Sequence, residues 1–196
     1  AEVAVGTLET DLKRRDFSIN ALALKITESG ELVLVDMVGG RNDISVKKLR
    51  ILHANSFMDD PIRILRGLRF CSRFNFDFED QTLVCLKKTV LEAHMLNVSL
   101  GRRIFELGKF SLEPNPYLLL TKTNDLKILA QALSVEKLSM PSIEKYQSAV
   151  AQLGHTLGFW AYLLSALDSI EKELVAVLPL RKAERSLVFD AIRRGL

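Results

Sequence analysis

The stretch DDPIRILRGLRFCSRF, residues 59–74, decides how the rest of the chain is interpreted. Pro61 suits the first turn of a helix, and Asp59 and Asp60 before it suit the N-terminal cap and the positive end of the helix dipole. A helix is therefore predicted to begin here. At about 100° per residue, its apolar side chains fall on one side and its arginines on the other. The apolar side holds Ile64, Leu65, Leu68 and Cys71, and the basic side holds Arg63, Arg66, Arg69 and Arg73.

Asp60 and Arg63 are three residues apart and are expected to be neighbours on one edge of this helix. A carboxylate accepts a hydrogen bond from an exocyclic amino group, and a guanidinium donates to a ring nitrogen or a carbonyl oxygen. Cytosine and adenine present an amino group beside an acceptor, whereas uracil and guanine present the reverse order. The pair therefore predicts selection of C or A, and Arg66 and Arg69 are predicted to bind phosphates. The alternative is a helix whose arginines are only solvated or paired with acids.

A second stretch, RRDFSIN at residues 14–20, places an acid, an amide and two arginines within a short distance. Asp16 and Asn20 are four residues apart, on one face of a predicted short helix that leads into an extended segment at residues 21–26. Asp16 is predicted to accept from a sugar hydroxyl, Asn20 to donate or accept, and Arg15 to hold a phosphate. The alternative is a surface cluster of ion pairs.

Composition describes an ordinary soluble globular protein of 196 residues, with 48% hydrophobic and 26% charged residues. The net charge of +3 is compatible with an RNA partner, and the stretch 41–73 contributes a local excess of Lys and Arg. Cys71 and Cys85 form neither a disulfide framework nor a zinc motif, and a reducing cytoplasm is expected. No signal peptide is recognised, and the nearly apolar run 157–167 is too short to span a bilayer.

The N-terminal part is predicted to consist of short strands and turns. Residues 1–5 have the alternation of a strand fragment, as though the chain began inside a domain, and residues 6–11 have the composition of a turn. Residues 31–36 predict a strand, and residues 49–53 one more extended segment.

Gly39 and Gly40 superficially resemble a phosphate-binding loop. No Lys-Ser/Thr pair follows them, so they are interpreted as a turn into a short helix that Asp43 caps.

From Asp80 onward the pattern is helical. Phe159, Trp160 and Tyr162 are predicted to belong to the core rather than to a base-stacking surface. Arg102 and Arg103, at a helix start, are weak candidates for RNA phosphate binding, with an exposed turn as the alternative. Helices are predicted at about 80–94, 99–111, 115–122, 124–133, 141–152, 156–172 and 180–195.

Four stretches, at residues 6–24, 35–44, 49–82 and 98–116, resemble the class II tRNA nucleotidyltransferases, the family of bacterial CCA-adding enzymes, A-adding enzymes and poly(A) polymerases. The resemblance implies template-independent addition of C and/or A to the 3′ end of tRNA, with ATP or CTP as the donor. It implies that nucleotide is bound by Arg15, Asp16, Asn20, Asp59, Asp60, Arg63, Arg66 and Arg69, of which Asp59, Asp60 and Arg63 form the base-reading motif. Asp59 stands where the family has Glu, so the carboxylate side chain at that position of the motif is shorter.

The implied fold is mainly α, with a small α+β head piece followed by an all-helical neck and body. The expected segments are 1–54 for the end of the head, 55–112 for the nucleotide-reading neck and 113–196 for the RNA-binding body. The family's Asp-x-Asp pair, which binds catalytic Mg²⁺, does not occur in the sequence, so an upstream head segment or a partner chain is expected to supply the metal site.

Several alternatives stay open at this point. One is a non-catalytic RNA-binding remnant or one half of a split nucleotidyltransferase, and another is a poly(A) polymerase. The approach LHANSF, residues 52–57, leans towards the A-adding branch, but CCA, CC-only, A-only and poly(A) addition are not distinguished.

Overall fold

The structure, a computed structural model, describes residues 6–196, so the strand fragment predicted at residues 1–5 lies outside the described residues. The chain divides into two compact units, Ala1–Lys88 and Thr89–Leu196. Helices dominate both, and the strands form two small two-stranded sheets. The predicted fold class, mainly α with a small β part, is confirmed. The division into head, neck and body segments stays a prediction.

The first unit contains all four strands found within residues 6–196. Its elements are α1 (Leu8–Lys13), a 3-10 turn (Ser18–Asn20), β1 (Leu22–Ile26), β2 (Leu32–Asp36), α2 (Gly40–Ser45), β3 (Lys48–Leu49), α3 (Ser56–Asp59), α4 (Ile62–Phe74), β4 (Asp77–Phe78) and the start of α5 (Asp80–Leu91). Strands β1 and β2 form an antiparallel hairpin with Leu24 opposite Leu34. Strands β3 and β4 pair in parallel, a contact that the sequence did not predict.

Helix α1 corrects the prediction of a turn at residues 6–11. The Thr7 hydroxyl caps the helix by accepting from the backbone N–H of Thr10 at 3.2 Å. Glu9 and Lys13, four residues apart, form an ion pair at 2.6 Å. A side-chain cap and an i,i+4 pair both favour helix over turn, so the helix forms in spite of the preceding glycine.

Helix α4 is the predicted arginine helix, and its apolar side is confirmed. Ile64 and Leu65 are fully buried and Leu68 is nearly so. Gly67 lets the Phe17 ring approach, because a Cβ atom there would lie 2.9 Å from Phe17 Cζ. The helix ends at Asn75, which adopts the left-handed conformation with φ 54°.

The second unit is built from helices packed around α10. Its helices are α6 (Leu100–Gly108), α7 (Pro116–Asp125), α8 (Ile128–Leu133), α9 (Ile143–Leu153), α10 (His155–Ser165), α11 (Lys172–Val177) and α12 (Lys182–Arg193), with the 3-10 turns His94–Asn97 and Lys109–Leu112. Phe159, Trp160 and Tyr162 are fully buried, as predicted for core residues. Gly158 permits close packing of α10 on α9, because a Cβ there would lie 2.6 Å from the Cα of Val150.

Two helix boundaries in this unit differ from the prediction by more than three residues. Helix α10 was predicted to continue to residue 172 but ends at Ser165, and α11 is separate. In the intervening turn, Ser169 donates to the Glu171 carboxylate at 3.1 Å, a local bond that competes with helix continuation. Helix α8 begins at Ile128 because Lys127 adopts φ 59°, which interrupts the helix predicted from residue 124. None of the helices within residues 6–196 combines the length and apolar character needed to cross a bilayer.

Candidate functional site

A cleft of about 530 Å³ opens in the first unit between α1, the 3-10 turn and the start of α4. Arginines and carboxylates dominate its walls. The lining residues are Asp11, Arg14, Arg15, Asp16, Asn20, Asp60, Arg63 and Arg66. The cleft therefore brings together side chains from both stretches that the sequence singled out.

Asp16 lies at the centre of this cleft and is only 8% exposed. Its Oδ1 accepts from the backbone N–H of Phe17 and from Asn20 Nδ2, each at 3.0 Å. Its Oδ2 accepts from Arg66 Nε at 2.8 Å and also from Arg66 Nη2. A carboxylate offers about four acceptor positions, and these four donors occupy them. Asp16 thus fixes Asn20 and Arg66, and binding a sugar hydroxyl would require it to exchange one of these partners.

Arg63 also connects the two stretches, through hydrogen bonds that its guanidinium donates. Its Nη1 donates to Ser56 Oγ at 2.7 Å, and its Nη2 donates to the backbone carbonyl of Arg14 at 3.1 Å. Asp60 lies one turn earlier, where its Oδ1 accepts from the backbone N–H of Ile62 at 3.3 Å. Asp60 and Arg63 consequently share the wall of one cleft, an arrangement that suits the base-reading role predicted for them.

Asp11 and Arg14 also line the cleft, and the sequence reasoning did not assign them a role. The Asp11 carboxylate accepts from Arg14 Nε and from Arg15 Nη2, each at 2.9 Å. These hydrogen bonds, from Arg15 and then from Arg14, hold the pKa of Asp11 below its usual range. The spacing of three and four residues would have indicated this cluster if residues 8–13 had been recognised as a helix.

Two predicted nucleotide-binding residues do not line the cleft. Asp59 closes α3, its side chain is 60% exposed, and its Oδ2 lies 3.8 Å from His53 Nδ1. Arg69 lies one turn beyond Arg66 on α4 and is half-buried outside the cleft lining. The backbone turns between α3 and α4 at Asp60, so the consecutive acids Asp59 and Asp60 do not occupy the same wall. The direct nucleotide contacts of Asp59 and Arg69 stay predictions, since neither residue lines this cleft.

Arg103, in the second unit, requires a correction. It is 4% exposed, and its Nη1 donates to the backbone carbonyl of Gln131. Burial lowers the pKa of this guanidinium. Adjacent positions on a helix are about 100° apart, so Arg102 and Arg103 face different surroundings and only Arg102 is exposed. Of this pair, only Arg102 remains a candidate for RNA binding.

The turn containing Gly39 and Gly40 is not a phosphate-binding loop. Its backbone N–H groups are occupied by the Asp36 carboxylate, which accepts from Gly39 at 2.8 Å, from Gly40 at 2.9 Å and from Arg41 at 3.0 Å. Hydrogen bonds from these N–H groups, first that of Arg41, hold the pKa of Asp36 below its usual range. Asp36, rather than Asp43, therefore caps α2, which corrects the predicted cap.

The same turn also packs against the RRDFSIN stretch, which contributes side chains to the cleft. A Cβ atom on Gly40 would lie 2.3 Å from the carbonyl oxygen of Ser18, so only glycine fits there. Asp43 is buried beneath it and accepts from Ser18 Oγ and from Arg50 Nε. Ser18 belongs to the RRDFSIN stretch, so these contacts fix the backbone that carries Asp16 and Asn20.

The cleft does not fit the Mg²⁺ ions that the resemblance implies. Within residues 6–196, no cluster of three or more His, Cys, Asp or Glu side chains is arranged to hold a metal ion. Asp11 is occupied by two arginines and Asp16 by four donors. These two carboxylates are therefore committed to protein donors rather than to a metal ion.

Known proteins resemble this chain along most of its length. Residues 1–50 match the family described as Poly A polymerase head domain. A-adding tRNA nucleotidyltransferase from Halalkalibacterium halodurans is 36% identical over 170 residues, which cover 86% of this chain and 40% of that relative.

Solved structures resemble the fold as well. A complex of CCA-adding enzyme with ATP superposes with a TM-score of 0.77 at 30% identity, covering 95% of this chain and 46% of that one. Thermotoga maritima CCA-adding enzyme complexed with tRNA superposes with a TM-score of 0.78 at 28% identity, covering 95% and 48%. The chain thus spans less than half the length of each of these relatives.

Proposed function

The chain belongs to the family of tRNA nucleotidyltransferases and poly(A) polymerases, and on this premise we propose that it binds ATP or CTP and adds A and/or C residues to the 3′ end of tRNA without a nucleic-acid template. We propose that this reaction takes place in the cytoplasm. The observation that supports the proposal is that one cleft is lined both by Asp16, Asn20 and Arg66 and by Asp60 and Arg63, the pair to which we assign base reading.

Base selection follows from the donors and acceptors of this pair. The Asp60 carboxylate accepts from the amino group of adenine or cytosine, and Arg63 donates to the neighbouring ring nitrogen or carbonyl. Ser56 and the carbonyl of Arg14 hold the Arg63 guanidinium, so it needs little reorganisation on binding. Uracil and guanine would place an acceptor opposite the Asp60 carboxylate and a donor opposite the Arg63 guanidinium. Both groups would then be left without a hydrogen-bond partner on the base.

The nucleotide's phosphates are assigned to Arg14 and Arg15, which also line the cleft. Arg15 is half-exposed at the cleft, and its Nη1 donates to the backbone carbonyl of Asn20 at 3.1 Å. Arg14 is exposed beside it. Guanidinium groups match phosphate oxygens in geometry and charge, so phosphates would take the place of Asp11 on these two arginines. Arg66 remains paired with Asp16 and lies beyond them in the cleft.

Mg²⁺ chemistry is assigned to carboxylates outside the described residues, either on an upstream head segment or on a partner chain. When bound, such ions would activate the RNA 3′ hydroxyl and neutralise the triphosphate. We assign residues 1–54 to the head, residues 55–112 to the nucleotide-reading neck and residues 113–196 to an RNA-binding body.

A transfer assay tests the proposal. The full chain, with and without a separately supplied nucleotidyltransferase head domain, is incubated with Mg²⁺, radiolabelled ATP or CTP, and tRNA that lacks its CCA end. Incorporation of A or C, but not of U or G, is expected once the metal site is supplied. ATP binding without transfer under any of these conditions would favour the non-catalytic remnant, and transfer of long A tracts would favour the poly(A) polymerase.

A further inference from the structure

A row of aromatic side chains extends from the cleft along α4. Arg66, which lines the cleft, lies over the Phe70 ring at 5.5 Å from its centroid. Phe70 stacks on Phe74 with centroids 6.1 Å apart and an interplanar angle of 19°. Phe74 contacts Phe76 at 5.8 Å, beyond the left-handed turn at Asn75. The rings of Phe70, Phe74 and Phe76, called the aromatic row below, are therefore continuous with the cleft.

Helix geometry explains why these residues are aligned. Positions four residues apart on an α-helix advance by only about 40° around the axis, so Arg66, Phe70 and Phe74 lie along one face. At about 1.5 Å per residue, this face is about 12 Å long. The row is anchored at its inner end, because the buried ring of Phe17 meets Phe70 edge-on at 5.8 Å.

The aromatic row lies at the surface, unlike the aromatic core of the second unit. Phe74 is 46% exposed, and Phe70 and Phe76 are half-buried. By contrast, Phe159 and Trp160 are fully buried. Exposed apolar rings that are aligned rather than scattered indicate a binding surface.

The charge along the α4 part of the row is basic, whereas the exposed Asp77 follows Phe76 at its other end. Arg69 and Arg73 immediately precede Phe70 and Phe74 on the same helix, and Arg73 is exposed. Helix α4 contains no acidic residue along Ile62–Phe74. Aromatic faces that alternate with cations are the arrangement that binds single-stranded nucleic acid, since bases stack on the rings while phosphates meet the charges.

We propose that the aromatic row and Arg73 bind the unpaired nucleotides at the 3′ end of an RNA and direct that end towards the cleft. The proposal rests on the proposed function for the identity of the RNA. Its geometry does not depend on that function, since the row requires only unpaired bases with a phosphate backbone. The row then holds the nucleotides that precede the growing end, and the cleft holds the incoming nucleotide.

The test uses the full chain and a short single-stranded RNA that carries 2-aminopurine near its 3′ end, because stacking on an aromatic ring quenches this fluorophore. Phe74→Leu removes the aromatic face and keeps an apolar side chain, whereas Phe74→Trp keeps an aromatic face. Ile26→Ala, which removes an exposed apolar side chain from β1, is the control. Thermal melting of each variant verifies folding, and ATP affinity is measured separately.

Phe74→Leu is expected to weaken RNA binding about five-fold to 150-fold and to reduce the quenching, while ATP affinity stays unchanged. Phe74→Trp and Ile26→Ala should bind RNA as the unaltered chain does. Arg73→Gln should reduce the salt dependence of binding by about one counterion.

Unchanged RNA affinity and quenching in Phe74→Leu would overturn the proposal, as would an unaltered chain that binds ATP but no RNA. The latter result would identify the row as a surface for another protein segment. Phe74-dependent RNA binding without any ATP binding would support the row and contradict the proposed function, so the two failures are distinguishable.

Discussion

Asp16 and Arg66, fifty residues apart in the chain, form an ion pair that holds the two functional stretches together. Asp16 is 8% exposed and its Oδ2 accepts from Arg66 Nε at 2.8 Å. The same carboxylate holds Asn20 through Oδ1. One buried acid thereby determines the positions of an amide and a guanidinium on the cleft wall.

Replacement of this acid tests how much the pair contributes to stability. Asp16→Asn removes the charge that pairs with Arg66, and we expect a loss of about 1–3 kcal/mol in the free energy of unfolding, because a charge-assisted hydrogen bond is lost while Arg66 is partly solvated. Urea denaturation measures this difference. Glu9→Gln, which breaks an exposed pair, is the control and should leave the urea midpoint unchanged. Equal effects of the two changes would show that Asp16 is not a tertiary link.

Arg63→Ala tests the base-reading pair. With the nucleotidyltransferase head domain supplied, the variant should incorporate A or C less selectively against U and G, because Asp60 alone reads only one group on the base edge. A loss of one good bidentate contact corresponds to about 1–3 kcal/mol of discrimination. Product sequencing with each of the four nucleotides measures selectivity, and tRNA affinity should change little. Arg193→Ala, on the exposed end of α12, is the control. Equal incorporation of all four nucleotides by the unaltered chain would contradict the assignment.

Gly40→Ala tests the support behind the cleft. The new Cβ would lie 2.3 Å from the Ser18 carbonyl oxygen, so the backbone of the RRDFSIN stretch must move. We expect ATP affinity to fall at least about ten-fold, with a loss of about 1–3 kcal/mol in stability from overpacking. Gly101→Ala is the matched control, since its Cβ would lie 3.9 Å from Val177 Cγ1, an ordinary van der Waals contact, and alanine favours helix. Wild-type ATP affinity in Gly40→Ala would show that the turn does not position the cleft.

Asp36 should make stability dependent on pH in the acidic range. Its pKa is lowered in the folded state by backbone N–H groups, first that of Arg41, so the unfolded chain binds more protons at the same pH. The contribution is therefore fully present above the unfolded pKa of about 4 and is lost as pH falls through the folded value. Urea midpoints measured from neutral pH to pH of about 3 should fall less steeply in Asp36→Asn than in the unaltered chain. Parallel curves would contradict this role.

Much of the site was accessible from spacing within single elements. Asp60 and Arg63 are neighbours because they are three residues apart, and α4 has the apolar and basic sides that its sequence predicts. Asp11 was missed only because a threonine cap and an i,i+4 ion pair convert the expected turn into α1.

The sequence by itself determined the helical character of α4, the presence of two polar stretches and the family resemblance, because periodicity and residue type act within short segments. Only the tertiary structure decided that Asp16 pairs with Arg66, that Arg103 is buried against Gln131, and that Asp59 does not line the cleft with Asp60. The physical reason is that these relationships depend on how distant elements pack and where the backbone turns. An Asp or an Arg has the same letter in the sequence whether its side chain faces a cleft, another side chain or the core.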